Sequence, residues 1–134
     1  MSKKIATDEK IAKAMKTLGK RIHNYRGELS LRKLADNISI SATQLLAIEN
    51  GTLAPTAEVY DELIKAFNPS GKKRQELDQL YMTIRKVPPP DICTMIINNP
   101  LLIEAMRTIN GKTLEKNQVE EIKMLLTSFA EKDT

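Results

Sequence analysis

The sequence predicts an all-α protein, and three observations support this. Apolar residues recur at steps of three and four along most of the chain, as they do on one face of an α-helix. Residues that cap or stop helices separate these stretches, and no alternating strand pattern with a hairpin turn lies between them. At 134 residues, of which 41% are hydrophobic and 28% charged, the chain has the size of one small globular domain with an appendage.

The first predicted helix carries a single apolar stripe, with lysine and arginine on its other faces. The stripe consists of Ile11, Met15, Leu18, Ile22 and Tyr25. Thr7 or Asp8 can cap this helix at its start, and Gly27 is the expected stop. Residues 1–10 are therefore predicted to form a basic N-terminal arm.

The next two predicted helices are short. Ser30 is a good N-cap for the second helix, which should end near Asn37. Ser41-Ala42-Thr43-Gln44 has the pattern of a capping box and opens the third helix, which should end at Asn50-Gly51. Two helices of about eight residues, joined by a turn of three or four, have the size of a helix-turn-helix unit.

A proline run divides the chain after two further predicted helices. An apolar stripe that stops at Asn68 marks the fourth helix, and the fifth covers about 72–86. Residues 87–90, Val-Pro-Pro-Pro, cannot continue a helix and are predicted to form a stiff linker. Residues 11–86 are thus predicted to form one five-helix domain, followed by a separate helical region over 91–134.

The C-terminal region is rich in apolar residues for an appendage of its size. Its stripes predict a homodimer interface formed by Ile92, Ile96, Leu101, Leu102, Met106, Ile122 and Phe129. The alternative interpretation is that these helices pack back on the N-terminal domain.

Positive charge is concentrated near the N-terminus. The chain has a net charge of +4, and residues 1–26 hold eight basic and two acidic residues. Such a segment suits a polyanion such as DNA, because neutralising phosphates releases condensed counterions. On charge alone, a solubilising surface helix explains the pattern equally well.

The sequence contains little that favours catalysis. The single histidine, His23, and the single cysteine, Cys93, lie 70 positions apart, and Cys93 has the apolar neighbours of an inert thiol. Neither a phosphate loop nor a dinucleotide-binding fingerprint occurs. We therefore expect no enzyme activity, no cofactor and no metal site. The absence of a long apolar run or a signal-peptide pattern predicts a cytoplasmic protein without membrane association.

Short motifs follow one another at regular spacing between Leu18 and Phe67. They are Leu18-Gly19-Lys20-Arg21-Ile22 with Arg26, Leu29-Ser30 with Leu34-Ala35, Ile40-Ser41, Ile48-Glu49-Asn50-Gly51, and Pro55-Thr56. Together they resemble the helix-turn-helix domain of the lambda-repressor-like (Xre/Cro) family of DNA-binding proteins. The resemblance implies that the third helix lies in the major groove of DNA while the second braces across the backbone.

The resemblance also implies roles for individual residues. The implied base contacts are Ala42, Thr43, Gln44 and Ala47. The predicted backbone contacts are Lys20, Arg21, Arg32, Lys33, Ser41 and Asn50. Arg26 and Glu49 match a structural salt bridge that joins the first and third helices in this family.

The sequence departs from the family pattern where DNA contacts are expected. Residues 41–51 contain no lysine or arginine, and Leu31 stands where the family often has a glutamine that binds a phosphate. We therefore expect DNA binding that depends strongly on salt and on the presence of two copies.

Two functions are compatible with these observations. The preferred one is a dimeric transcriptional repressor that occupies promoter DNA through a recognition helix at residues 41–50. The alternative is an antitoxin or interaction module, in which residues 91–134 bind a partner protein and the helix-turn-helix autoregulates its operon.

Overall fold

The computed structural model describes the backbone of residues 2–132 and the side chains of residues 7–131. Over this range the chain is all-α, as predicted, and contains no strand. The eight helices are α1 (Ser2–Arg26), α2 (Leu31–Asn37), α3 (Ala42–Glu49), α4 (Ala57–Phe67), α5 (Gly71–Arg85), α6 (Pro90–Asn98), α7 (Pro100–Arg107) and α8 (Lys116–Lys132).

Helix α1 is longer than the sequence pattern predicts. It begins at Ser2 and not at Thr7 or Asp8, so residues 2–10 of the predicted basic arm are helical. Met1 and the side chains of residues 2–6 lie outside the described residues. The early start has a simple cause, because the segment contains neither proline nor glycine, and its three lysines favour helix.

Side chains cap α2 and α3 where the sequence predicts them to. The Ser30 hydroxyl accepts a hydrogen bond from the Lys33 amide at 3.1 Å. At α3, Ser41 Oγ accepts from the Gln44 amide at 3.0 Å, and Gln44 Oε1 accepts from the Ser41 amide at 3.1 Å. This reciprocal pair satisfies two backbone donors that a helix start leaves without partners.

The hydrophobic core is shared by α1 to α5 and includes the turn after α2. Its buried residues are Ala14, Leu18, Ile22, Leu34, Ala35, Ile38, Leu45, Ile48, Tyr60, Leu63, Ile64, Leu77, Tyr81 and Ile84. The chain has no tryptophan, and two stacked ring pairs supply the aromatic packing. Tyr60 and Tyr81 have ring centroids 4.2 Å apart, and Tyr25 and Phe67 have centroids 5.1 Å apart.

Helix α6 belongs to the N-terminal unit, which extends to Asn98. The boundary between compact units therefore lies after Asn98 and not at the predicted linker, residues 87–90. Pro89 is buried, α6 packs on α4, and Asp91 Oδ2 pairs with Arg74 Nη2 at 3.2 Å. These contacts place the end of the proline run within the packed structure, where the sequence pattern alone suggested a spacer.

A polar network joins α4, α5 and α6 beside the stacked tyrosines. The Tyr60 hydroxyl donates to Asp78 Oδ1 at 2.7 Å, and Arg74 Nε donates to the same oxygen at 3.0 Å. Burial, followed by the bond to Asp78, raises the pKa of Tyr60 far above its usual value. The phenol therefore stays neutral and acts as a hydrogen-bond donor.

A second compact unit covers the chain from Asn99 onward and contains α7 and α8. None of its described side chains is buried. The predicted dimer residues are consequently divided, because Ile92 and Ile96 lie on α6 in the first unit and the other five lie in the second. Among those five, Leu102 is half-buried, and the remaining four, Leu101, Met106, Ile122 and Phe129, are exposed.

Helices α1 and α3 approach each other most closely at Gly19. A Cβ atom at this position would lie 2.6 Å from the carbonyl oxygen of Ile48 and would also overlap the carbonyl group of Glu49. Both obstacles are backbone atoms, which cannot turn aside as a flexible side chain can. Glycine is therefore required for α3 to rest on α1.

We expect Gly19→Ala to lower the free energy of unfolding by about 2 kcal/mol, because the helices must separate to admit the methyl group. Replacing glycine by alanine also raises helix propensity by about 1 kcal/mol, which opposes this loss. A net fall in the free energy of unfolding would therefore show that the steric effect is the larger one. Asn24→Ala, on the exposed part of the same helix, is the control. Urea unfolding followed by circular dichroism measures both variants, and an unchanged or more stable Gly19→Ala would contradict the close contact.

Candidate nucleic-acid interface

A tight turn connects α2 to α3. Ser39 adopts the left-handed conformation with φ 60°, and the Ile40 amide donates to the Ala35 carbonyl at 3.0 Å. Ile38 is buried in the core between the two helices. The turn therefore holds α2 and α3 in one packed unit of helix, turn and helix.

Helix α3 presents one face to the core and another to solvent. Leu45, Ile48 and Glu49 are buried, whereas Thr43, Gln44, Leu46 and Asn50 are exposed and Ala47 is half-buried. Positions 43, 46, 47 and 50 of this outer face lie one above another at helical spacing. A continuous strip of short or polar side chains, with one leucine, thus faces outward.

The carboxylate of Glu49 anchors the C-terminal end of α3 to α1. Its side chain is only 4% exposed. Arg26 Nε donates to Oε2 at 2.9 Å, and Arg26 Nη2 donates to Oε1 at 3.0 Å, the two-pronged geometry that suits a guanidinium. These bonds raise the pKa of Arg26 above its usual value. The salt bridge that the resemblance implied is therefore present in the structure.

Two further contacts complete this anchor. Arg26 Nη1 donates to the Leu29 carbonyl at 2.8 Å, which ties the loop after α1 to the same guanidinium. Nδ1 of His23 lies 2.8 Å from Glu49 Oε1 and 3.1 Å from Arg26 Nη2, so the imidazole stands at the edge of the same ion pair. His23 is exposed, and the sequence gives no sign of its contact with Glu49.

Helix α1 also passes closely beside the residues that follow α3. Gly51 has φ 77°, and a Cβ atom there would lie 2.8 Å from the Cα of Lys16. Lys16 and Lys20 therefore stand next to Asn50 at the end of α3. The open depression between these helices has a volume of about 530 Å³ and is lined by Lys16, Lys20, His23, Asn24, Arg26, Leu46, Glu49 and Asn50.

A second depression continues along α1 from the first. It has a volume of about 460 Å³, and its lining includes Lys13, Lys16, Thr17 and Lys20. The three lysines are exposed and follow one another at helical spacing, so their ammonium groups form a basic stripe. We call Lys13, Lys16 and Lys20 the α1 lysine stripe.

The predicted base-contacting residues differ in their accessibility. Thr43 is exposed and forms no capping bond, so its hydroxyl and methyl groups are available. Gln44 is exposed, but its side-chain oxygen is engaged by the Ser41 amide. Ala47 is half-buried on the outer face, whereas Ala42 packs against the hydrophobic core. Ala42 is therefore the least suitable of the four for a base contact.

The residues predicted to contact the DNA backbone are all exposed, but one of the charged side chains is already paired within the protein. Lys20, Arg32, Lys33, Ser41 and Asn50 lie at the surface. Arg21, by contrast, donates through Nε to Glu76 Oε1 on α5 at 2.7 Å. That contact turns Arg21 toward α5 and engages its charge, so Lys16 is better placed beside α3 than Arg21.

Lys16 and Leu46 line the depression beside α3, and the sequence does not distinguish either of them from its neighbours. Leu46 is 47% exposed, but an apolar residue next to core position 45 gives no sign of pointing outward until the helix axis is fixed. Lys16 belongs to a run of basic residues, and only the crossing of α1 over the end of α3 distinguishes it from the others.

No family model, curated protein or solved structure matches the chain. Within residues 2–132, no helix is long and apolar enough to cross a membrane. Among the same residues, no cluster of three or more histidine, cysteine, aspartate or glutamate side chains is arranged to hold a metal ion.

Glu49→Gln tests the anchor with little change of shape. The neutral amide leaves the Arg26 guanidinium partly buried without a counter-charge, so we expect the free energy of unfolding to fall by about 3 kcal/mol. Glu28→Gln, in the exposed loop after α1, removes the same charge without a buried partner and serves as the control. Denaturant titration of both variants provides the measurement, and equal losses would contradict a specific role for the Glu49 pair.

Proposed function

We propose that the protein is a sequence-specific DNA-binding transcriptional regulator, which acts as a dimeric repressor by occupying promoter DNA. In this proposal α3 enters the major groove and α2 lies across the sugar-phosphate backbone. The protein performs no chemistry on the DNA, because occupancy alone blocks transcription.

The observation that carries the proposal is the way α3 is held. Its buried residues, Leu45, Ile48 and Glu49, are fixed by the core and by Arg26, while the strip from Thr43 to Asn50 faces solvent. A helix that reads base edges needs this combination. Its buried face fixes its position relative to the rest of the domain, and its exposed face is then available for contacts with the bases. The exposed Leu46 adds an apolar group that suits a thymine methyl.

Electrostatics support the same orientation. The α1 lysine stripe runs toward the Asn50 end of α3, and Arg32 and Lys33 lie exposed on α2. These groups suit phosphates on either side of a groove, whereas α3 itself contributes no positive charge. Phosphate contacts position a protein without reading sequence. Affinity should therefore depend strongly on salt, and specificity should depend on a few side chains of α3.

Selection of bound fragments from sheared genomic DNA tests the function directly. Purified full-length protein at roughly physiological salt should enrich an inverted repeat with half-sites about one helical turn apart. Thr43→Ala should then relax the base preference within each half-site, with little loss of fold stability. Thr94→Ala, on α6, is a control of the same residue type. Binding that shows no enrichment and disappears as salt rises would contradict sequence-specific regulation.

The double variant Lys16→Ala, Lys20→Ala measures the contribution of the lysine stripe. We expect weaker binding to all DNA sequences alike, and a slope of log K against log salt that is smaller by about 2, because each lost phosphate contact removes about 0.9. Lys65→Ala with Lys112→Ala removes the same charge elsewhere and is the control. Fluorescence anisotropy across a salt series gives both slopes, and equal slopes for the two double variants would exclude the stripe from the interface.

A further inference from the structure

The sequence contains two Asn-Gly pairs, and each follows a helix. Asn50-Gly51 lies at the end of α3, and Asn110-Gly111 lies in the turn between α7 and α8. In such a pair the backbone nitrogen of the glycine can attack the side-chain amide carbon of the asparagine. Glycine leaves this approach open, because it has no Cβ atom and its backbone adopts many conformations. Whether the attack takes place then depends on how the fold holds each pair.

The fold restrains the pair at the end of α3. The Gly51 amide donates to the Ile48 carbonyl at 3.1 Å, so the nitrogen that would attack is engaged. Ring closure brings this nitrogen beside the Cβ atom of Asn50, and the main chain of Asn50, which has a helical φ of −80° and ψ of −6°, must rotate to allow it. The bond from the Asn50 amide to the Leu46 carbonyl at 2.9 Å and the close approach of Gly51 to Lys16 oppose that rotation.

The pair in the turn between α7 and α8 is not restrained in this way. The neighbouring amides are engaged, because Asn110 donates to the Arg107 carbonyl at 3.1 Å and Lys112 donates to the Ile109 carbonyl at 3.0 Å. None of the described residues accepts a hydrogen bond from the Gly111 amide between them. Asn110 and Gly111 are both exposed, and a Cβ atom at Gly111 would meet no other atom within 4 Å. The attacking nitrogen is therefore open to water, and its main chain has room to rotate.

We propose that Asn110 is a site of spontaneous deamidation, and that the fold protects Asn50 from the same reaction. The Gly111 nitrogen loses its proton and forms a bond with Cγ of Asn110. The bond between Cγ and the side-chain nitrogen breaks, and ammonia leaves with the proton that the backbone nitrogen gave up. Water then hydrolyses the cyclic imide at either carbonyl carbon, which yields aspartate or isoaspartate. No group is oxidised or reduced, and the protein exchanges a neutral amide for a carboxylate.

The products change the unit that contains α7 and α8. Either product places a carboxylate beside the C-terminal end of α7, where the residue 110 amide donates to the Arg107 carbonyl and the helix dipole opposes negative charge. Isoaspartate also inserts a carbon atom into the main chain of the turn. The end of α3 keeps the neutral amide of Asn50, so the modification spares the candidate nucleic-acid interface. The reaction takes place whether or not the protein binds DNA.

Peptide mapping by mass spectrometry tests the site. Folded full-length protein is incubated in a mildly alkaline buffer, which favours the deprotonated nitrogen, and is digested at acidic pH, where the reaction is slow. Asn110 should deamidate at least about fivefold faster than Asn50, the factor that corresponds to the net contribution of one hydrogen bond. In urea that unfolds the whole chain, the two rates should converge. Equal rates in the folded protein, or a difference that persists unchanged in urea, would overturn the proposal.

Ion-exchange chromatography of the intact protein provides a second measurement. The wild type should accumulate acidic species over time. Asn110→Gln should accumulate them at least about fivefold more slowly, because only the restrained Asn50-Gly51 pair remains. Asn50→Gln removes the other pair and should match the wild type, and circular dichroism checks that both variants keep the wild-type helical content. Acidic species that form at the wild-type rate in Asn110→Gln would contradict the assignment of the site.

Discussion

The buried carboxylate of Glu49 is the constraint that the rest of the candidate interface depends on. A negative charge at the C-terminal end of a helix is opposed by the helix dipole, and burial makes an unpaired charge costly. Arg26 offsets both effects, because its guanidinium donates two hydrogen bonds to the Glu49 carboxylate. A third hydrogen bond from the same guanidinium holds the loop at Leu29. Gly19 lets the backbones meet. The position of α3 relative to α1 is thus set by the ion pair between Arg26 and Glu49 and by the absence of a side chain at Gly19.

A second polar network, centred on Asp78, links α4, α5 and α6. Asp78 accepts from both Tyr60 and Arg74, and Arg74 reaches onward to Asp91 at the start of α6. Arg85 donates to the carbonyls of Ala54 and Pro55, which hold the loop between α3 and α4. Each network satisfies polar groups that helix packing would otherwise leave buried without partners. The loop that follows α3 is therefore tied to α5 through Arg85.

The sequence was most informative where structure is local. Ser30 and the Ser41–Gln44 pair placed α2 and α3 accurately, because a capping bond involves residues only three apart. Helix α1 and the proline run were predicted less well. The start of α1 has no capping signal to mark it, and residues 87–90 look like a spacer until Arg74 is seen to hold Asp91. Lys16 and Leu46 could not be recognised from the sequence as residues that line one depression, since this depends on how α1 packs against α3.

The interleaving of buried and exposed residues along α3 has a consequence for substitutions. Leu45, Ile48 and Glu49 are buried and maintain the fold, whereas the side chains of Thr43, Leu46 and Asn50 are exposed. Substitutions in the second group should therefore cost little stability, so the chemistry of the outward face can change while the fold is kept. Gln44 is the exception, because its side chain also closes the helix start. Among the outward positions, it is the one at which a substitution would also weaken the start of the helix.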